Sequence, residues 1–578
     1  MAKFLIGLLV GVILTVALAV IGAFSLARFG TEKRTIVPDN ATLILRLEGE
    51  IPERPPIELP IPFFEQQSAS TVKDVWELLH KAAVDTRIKA VVLEPQGISA
   101  GWAKLEEIRG DLEQFRKSGK PLVAYLKGPT TREYYLATAC DRIYMGPEEY
   151  LDVKGLRAAM MFFRGTLDKL GVQIEVEHVG KYKDFGDMFE RKDMSPETKE
   201  VTNTILDDVY GRLLSTIAAA RKKSVEEIRA TIDEGPFLAQ PSVAKGLIDS
   251  LRYEDQMFGE LKDRLKSGEI HKLSHRDYLK VTPASLGLEG KPRIAFLVGQ
   301  GDITRGSSSD DIYGEEGIGA EGFDKLLRRV GSDSSIRAVI VRIDSPGGDA
   351  MASDDIWREM NLLSKKKPMV ISMSDAAASG GYYMAMTGDP IVAYPGTFTG
   401  SIGVVFGKPN LHGLFDKLGV TEDSLQRGRF ADIDSEYQPL SPPAREKLRE
   451  GIDVSYRDFV SKVAEARKRP YNQVEPLAQG RVWLGDQAKE HGLVDEMGGI
   501  DRAIELVKER AKIAKDEKVA LVTYPPKRSI LEILMGRTPE SALESRLKPL
   551  AKIARNAHLK LLSQPGLLRL MPYTIEVR

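Results

Sequence analysis

The sequence predicts an α/β protein built from two consecutive copies of one unit, each with a largely parallel sheet, preceded by a single apolar helix. Three observations carry this expectation. Two stretches align without gaps at a spacing of 248 residues, so that Ile88-Lys89-Ala90-Val91-Val92-Leu93 lies over Ile336-Arg337-Ala338-Val339-Ile340-Val341. Within each copy, short hydrophobic runs alternate with segments of helical periodicity, the pattern of strand-helix-strand units. Ahead of both copies, 24 residues from Phe4 to Ala27 carry no charge.

Taken in order, that apolar run is long enough for a membrane helix. At the helical rise it spans roughly 36 Å, against a hydrocarbon core of about 30 Å. It is longer than the apolar core of a secretory signal, which favours an uncleaved anchor; cleavage near Ala23 or Ala27 is the alternative. Lys3 precedes the run and Arg28, Lys33 and Arg34 follow it, so the basic residues do not set its orientation. Residues 43–47 then read as a strand, followed by a proline-rich loop over 52–62. The same beginning recurs at 293–298, after a join punctuated by glycine and proline.

Further pairs hold the register: Tyr134-Tyr135 over Tyr382-Tyr383, Asp141 over Asp389, and Asp168-Lys169-Leu170-Gly171-Val172 over Asp416-Lys417-Leu418-Gly419-Val420. Residues 201–222 and 444–468 read as amphipathic helices that close the two copies. The divisions expected are an anchor at 1–30, a first copy at 40–262, a linker at 263–292, a second copy at 293–515 and a tail at 516–578, with a helix over 550–562 and no chemistry assigned to it.

Composition narrows the function. A chain of 578 residues is too long for one core. With 82 basic against 83 acidic side chains, the net charge of -1 offers no electrostatic case for nucleic acid. Cys140 is the only cysteine, so no disulfide within the chain and no thiolate metal cluster can form. No His/Asp/Glu cluster has ligand spacing, and no metal or organic cofactor is expected.

The chemically able residues are divided between the copies. Where the second has Ser379-Gly380-Gly381, the first has Thr131-Arg132-Glu133; where the second has Gly347-Gly348, the first has Ser99-Ala100. Conversely, Lys183 of the first copy falls on Ala431 of the second. A serine needs a base, and an amine serves if burial makes its neutral form accessible. None of the seven histidines lies in a glycine-rich turn, and no G-x-S-x-G elbow is present, which disfavours a histidine triad. Asp344 and Asp389 read as caps or turn residues, and the paired tyrosines as core or pocket wall.

Together the Ser-Gly-Gly-Tyr-Tyr turn, the Thr399–Gly403 motif, the Asp-Ser-Pro-Gly-Gly turn at 344–348 and the Gly-Lys-Tyr-Lys segment at 180–183 resemble the bacterial signal peptide peptidase A family in its long, duplicated form. The resemblance implies a serine peptidase with Ser379 as nucleophile, Lys183 as general base and Ser401 holding the lysine amine. It implies oxyanion donors at Gly348 and Gly380. It also implies tandem ClpP/crotonase-like domains of repeated ββα units behind one transmembrane helix, assembled as a homotetramer. Its substrates would be signal peptides left in the membrane, cut after small apolar residues on the outer face of the bacterial inner membrane. Two other classes compete, an acyl-CoA-binding crotonase-like protein and a non-catalytic membrane scaffold.

Overall fold

The computed structural model describes residues 11–12, 15, 36–55, 69–306, 317–526, 566–571 and 576–577. Most of the apolar run expected to cross a membrane lies outside these residues, as does the helix expected over 550–562. Among the described residues no helix is long and apolar enough to cross a membrane.

Each copy is built on an all-buried run of branched residues. In the first, the Ile88–Ser99 strand sits between Ala41–Glu50 and Leu122–Leu126, and the sheet extends to His271–Ser274 on one side and to Arg142–Met145 and Ser250–Leu251 on the other. All these pairings are parallel. In the second, Ile336–Ser345 sits between Arg293–Gln300 and Met369–Ala378. Such strands, covered on both faces, need continuous apolar sequence rather than alternation, and Ala338 to Val341 are fully buried.

The duplication extends to single hydrogen bonds. Tyr134 donates its hydroxyl to Leu247 O (2.9 Å) and Tyr382 to Leu493 O (2.8 Å). Asp249 accepts from Ile143 N–H and pairs with Arg221; Asp495 accepts from Ile391 N–H and pairs with Arg467. The two long helices, Pro196–Arg221 and Pro442–Ala466, each start at a serine cap followed by proline, Ser195 and Ser441.

Two segments set aside as linker and tail take part in the sheets. His271–Ser274 adds to Ala41–Glu50, and Ala520–Tyr524 adds in the same way to Arg293–Gln300. A third sheet joins the copies. Val404–Asn410 of the second pairs antiparallel with Gln173–Val179 of the first over seven positions, from Val404 opposite Val179 to Asn410 opposite Gln173. Between Val404–Asn410 and Gly347–Asp349 lies Leu568–Leu570, also from beyond residue 515.

Charge pairs also join the copies. Arg342, fully buried, donates to Glu53 (2.8 Å) and Glu107 (2.6 Å), and Lys104 pairs with Asp344 at 2.8 Å. Asp344 therefore does more than cap a turn: it bonds across the copies while accepting from Ala376 N–H at 3.1 Å. Removing one partner of such a buried pair strands the other charge, at a cost of about 3–5 kcal/mol. Asp389 accepts from Thr387 and pairs with Arg510.

Candidate active site

The Met369–Ala378 strand ends abruptly at Ser379, which takes φ 52° and ψ −111° before the short helix Gly380–Met384 begins. A non-glycine residue in that region stores about 1–3 kcal/mol of backbone strain. It is held there by its own N–H, donated to Gly400 O (2.8 Å), and by its carbonyl, which accepts from Tyr383 N–H (2.8 Å). Ser401 is likewise at positive φ (50°), with its N–H donated to Arg481 O at 2.7 Å.

Lys183 arrives from the first copy on the segment after Gln173–Val179. Tyr182 N–H donates to Gln479 O (2.8 Å) and Lys181 N–H to the Gln479 side chain (3.1 Å). Gly480 admits the approach: at φ 76°, a Cβ there would lie 2.6 Å from Lys183 N. The lysine side chain is then threaded into the second copy. Its Nζ lies 2.8 Å from Ser379 Oγ, 2.9 Å from Ser401 Oγ and 3.0 Å from Ser401 O. All three residues have no exposed surface.

Burial pushes the Lys183 ammonium well below the usual lysine range, Asp184 opposes this, and the Arg569 guanidinium adds to it. The opposition is weak near neutrality, because burial also lifts Asp184 itself, to about 7, against the hydrogen bond it accepts from Thr198. The cluster can hold a neutral amine beside a hydroxyl.

Of the glycines expected near the serine, Gly347 and Gly348 form a short strand that leaves Ile336–Ser345, and Gly380 follows Ser379. A Cβ on Gly348 would strike the Ile303 backbone, and one on Gly347 would lie 2.7 Å from Gly380 N, so the turns pack backbone to backbone. The five residues singled out in the sequence thus lie in one cluster. His178 lies exposed on the Gln173–Val179 strand. Cys140 sits part-buried against the first core, where burial raises its thiol pKa.

Sequence reasoning missed Arg569. It is 3% exposed, and its guanidinium lies 3.6 Å from the centre of the Tyr383 ring. The only local signal was the apolar-basic-apolar alternation of Leu568-Arg569-Leu570, too short to separate from a loop.

Comparison with known proteins places the chain in a family. The family described as Peptidase family S49 matches residues 114–267 and 361–514. The chain is 39% identical over 462 residues to the chloroplastic serine protease SPPA of Arabidopsis thaliana, covering 79% of this chain and 68% of that protein. It is 30% identical over 495 residues to Protease 4 of Haemophilus influenzae, covering 82% of this chain and 79% of the other. Among solved structures, ClpP1 from Listeria monocytogenes is 17% identical with a TM-score of 0.22, over 36% of this chain and 94% of that one.

Proposed function

The chain belongs to peptidase family S49 and is a serine protease, and from that premise we propose that it cuts peptide bonds with a Ser379–Lys183 dyad assembled from both copies. One observation carries the proposal: the Lys183 amine of the first copy, 2.8 Å from the Ser379 hydroxyl of the second, in a fully buried site. With Lys183 neutral, its two N–H bonds point to the two Ser401 oxygens and its lone pair faces Ser379 Oγ. The serine proton passes to Nζ, the alkoxide adds to the peptide carbonyl, and the N–H groups of Gly348 and Gly380 receive the oxyanion. Each such donor is worth about 3 kcal/mol in other enzymes. Lys183 then protonates the leaving amine, and water releases the acyl group by the same relay. Fluorophosphonate labelling followed by peptide mapping tests the assignment: Ser379 is the residue modified, and modification elsewhere overturns it.

The finer reading is of a ClpP/crotonase-like spiral in each copy, anchored by residues 1–30 to a bacterial inner membrane with the catalytic copies outside the cytoplasm, acting on signal peptides. The long apolar run supports the anchor. Assembly into a homotetramer is supported by an unanswered half of the pseudo-symmetry. Val404–Asn410 pairs with Gln173–Val179, but their counterparts 248 residues away, 156–162 and 421–427, do not pair with each other: Ala158–Ala159 pairs on one edge with Glu576–Val577, and 421–427 forms no strand. Residues 421–427 are exposed throughout, with Leu425 94% and Met161 61% exposed. Pairing these segments between subunits is a head-to-tail contact, which closes into a ring when its rotation returns to the start. Light scattering on Leu425→Asp should give a smaller particle than the parent; an unchanged mass removes this interface.

A further inference from the structure

The strand Leu568–Leu570 lies where an extended peptide would have to lie to meet Ser379. It runs antiparallel to Gly347–Asp349 with Arg569 opposite Gly348, and its other edge meets Val404–Asn410 at Val405. Adding a strand to an open edge is a general way of holding a peptide by its main chain while pockets read alternate side chains. The Arg569 carbonyl oxygen faces both glycine turns: a Cβ on Gly347 would collide with it, and one on Gly380 would lie 3.0 Å away. A carbonyl in that position is the one Ser379 would attack, which makes Arg569 the residue on the acyl side.

Alternation sends the neighbouring side chains the other way. Leu568 and Leu570 pack with Val176, Phe185, Phe189 and Val405. Arg569 enters a pocket between the helices Ala350–Ser364 and Pro442–Ala466. Its guanidinium donates to Ala350 O (3.0 Å) and Ser455 Oγ (3.2 Å), lies 3.7 Å from Asp458 and stacks on Tyr383, with Phe459 behind it at 5.4 Å. The Tyr383 hydroxyl in turn donates its one proton between Asp354 (2.6 Å) and Asp458 (2.9 Å). Lys462 pairs with both carboxylates, at 3.4 Å and 2.8 Å. Two carboxylates against one ammonium leave one negative charge, which the guanidinium balances.

We propose that this pocket reads the acyl-side residue of the substrate and selects arginine, with Arg569 as the chain's own occupant. The inference rests on the peptidase reading and departs from the small apolar preference implied by the family resemblance. A planar cation stacked on an aromatic ring beside carboxylates gains cation–π and charge-assisted hydrogen bonds that a leucine cannot replace.

The test uses the full chain and fluorogenic tetrapeptide amides that differ only in the acyl-side residue: arginine, leucine or alanine. A tail strand competing for the cleft divides every kcat/KM by the same factor, so their ratios still report the pocket. Arginine is expected to exceed leucine by tenfold or more, Asp458→Asn to cut that ratio several-fold, and Arg569→Ala to raise kcat/KM for all three amides together. Hydrolysis with leucine or alanine equal to or above arginine overturns the pocket and leaves the dyad standing. No hydrolysis of any amide by either the parent chain or Arg569→Ala, together with no fluorophosphonate label on Ser379, overturns the dyad and the pocket with it.

Discussion

The two copies fold alike but fill the same turn with opposite chemistry. In the second, the turn after the Met369–Ala378 strand carries Ser379 and two glycines. In the first, Glu133 occupies the equivalent of Gly381, fully buried, and its oxygens accept from Ile98 N–H (2.5 Å) and Thr130 N–H (2.8 Å). A built-in carboxylate thus fills the turn where the second copy has only Gly381, closing a capping box on the Thr131–Ala137 helix and taking up the N–H of Ile98, whose counterpart Pro346 has none. The lesson is one of division. The first copy lacks the glycine turn but has an amine that reaches out of it, and the second has the hydroxyl that this amine meets.

The sharpest way to break this comparison is to remove either half of the dyad. Ser379→Ala and Lys183→Ala should each lower kcat by at least about 10³-fold, and the double variant should be no worse than the worse single, because the residues act as one unit. Peptide-amide turnover by the three variants measures this. A multiplicative double would mean that the two copies contribute separately.

Next in size is the pH profile. The base must be neutral, so kcat/KM falls as pH drops through the depressed Lys183 pKa, well below the usual lysine range. Asp184 opposes that depression only while ionised, above its own pKa of about 7, so Asp184→Asn should lower an acid limb that lies above pH 7 and leave one below it in place. The same shift has a stability sign. The unfolded chain binds a proton that the folded site resists, so stability rises with pH between the folded and unfolded pKa values. Lys183→Met, inactive, should therefore melt at a higher temperature than the parent at neutral pH, with the gap closing towards the unfolded lysine pKa of about 10.5. A lower Tm for Lys183→Met at neutral pH would show that the hydrogen bonds of the amine outweigh its burial.

What the sequence disclosed follows the same division. The repeat was legible because 248 holds without a gap through strands, turns and the Asp-Lys-Leu-Gly-Val segment. Ser379 and Lys183 stood out because the copies carry complementary residues, a signal that needs only one chain, whereas Ser401 came only from the family resemblance. Lys104 with Asp344, and Arg342 with Glu53 and Glu107, were not, because nothing local marks which buried charge answers which across more than 200 residues. The strand His271–Ser274 was hidden for another reason: four residues, three of them exposed, show no hydrophobic pattern. Arg569 read as one more basic residue in a basic tail, since what makes it special is a pocket built by helices elsewhere in the chain.

The smallest expected effect on catalysis falls on the copy that lost the site. Glu133→Ala leaves the N–H groups of Ile98 and Thr130 without their acceptor in a buried turn. Stranding buried donors costs about 1–3 kcal/mol, so the variant should unfold at lower denaturant while its kcat per folded molecule stays that of the parent. Lys183 descends from the same copy but beyond this turn, on the segment clamped to Gln479 and Gly480 of the second copy, and loosening the turn does not move that clamp. Should kcat fall along with stability, the turn of the first copy would be supporting the lysine after all, and the division between the copies would be less complete than their geometry says.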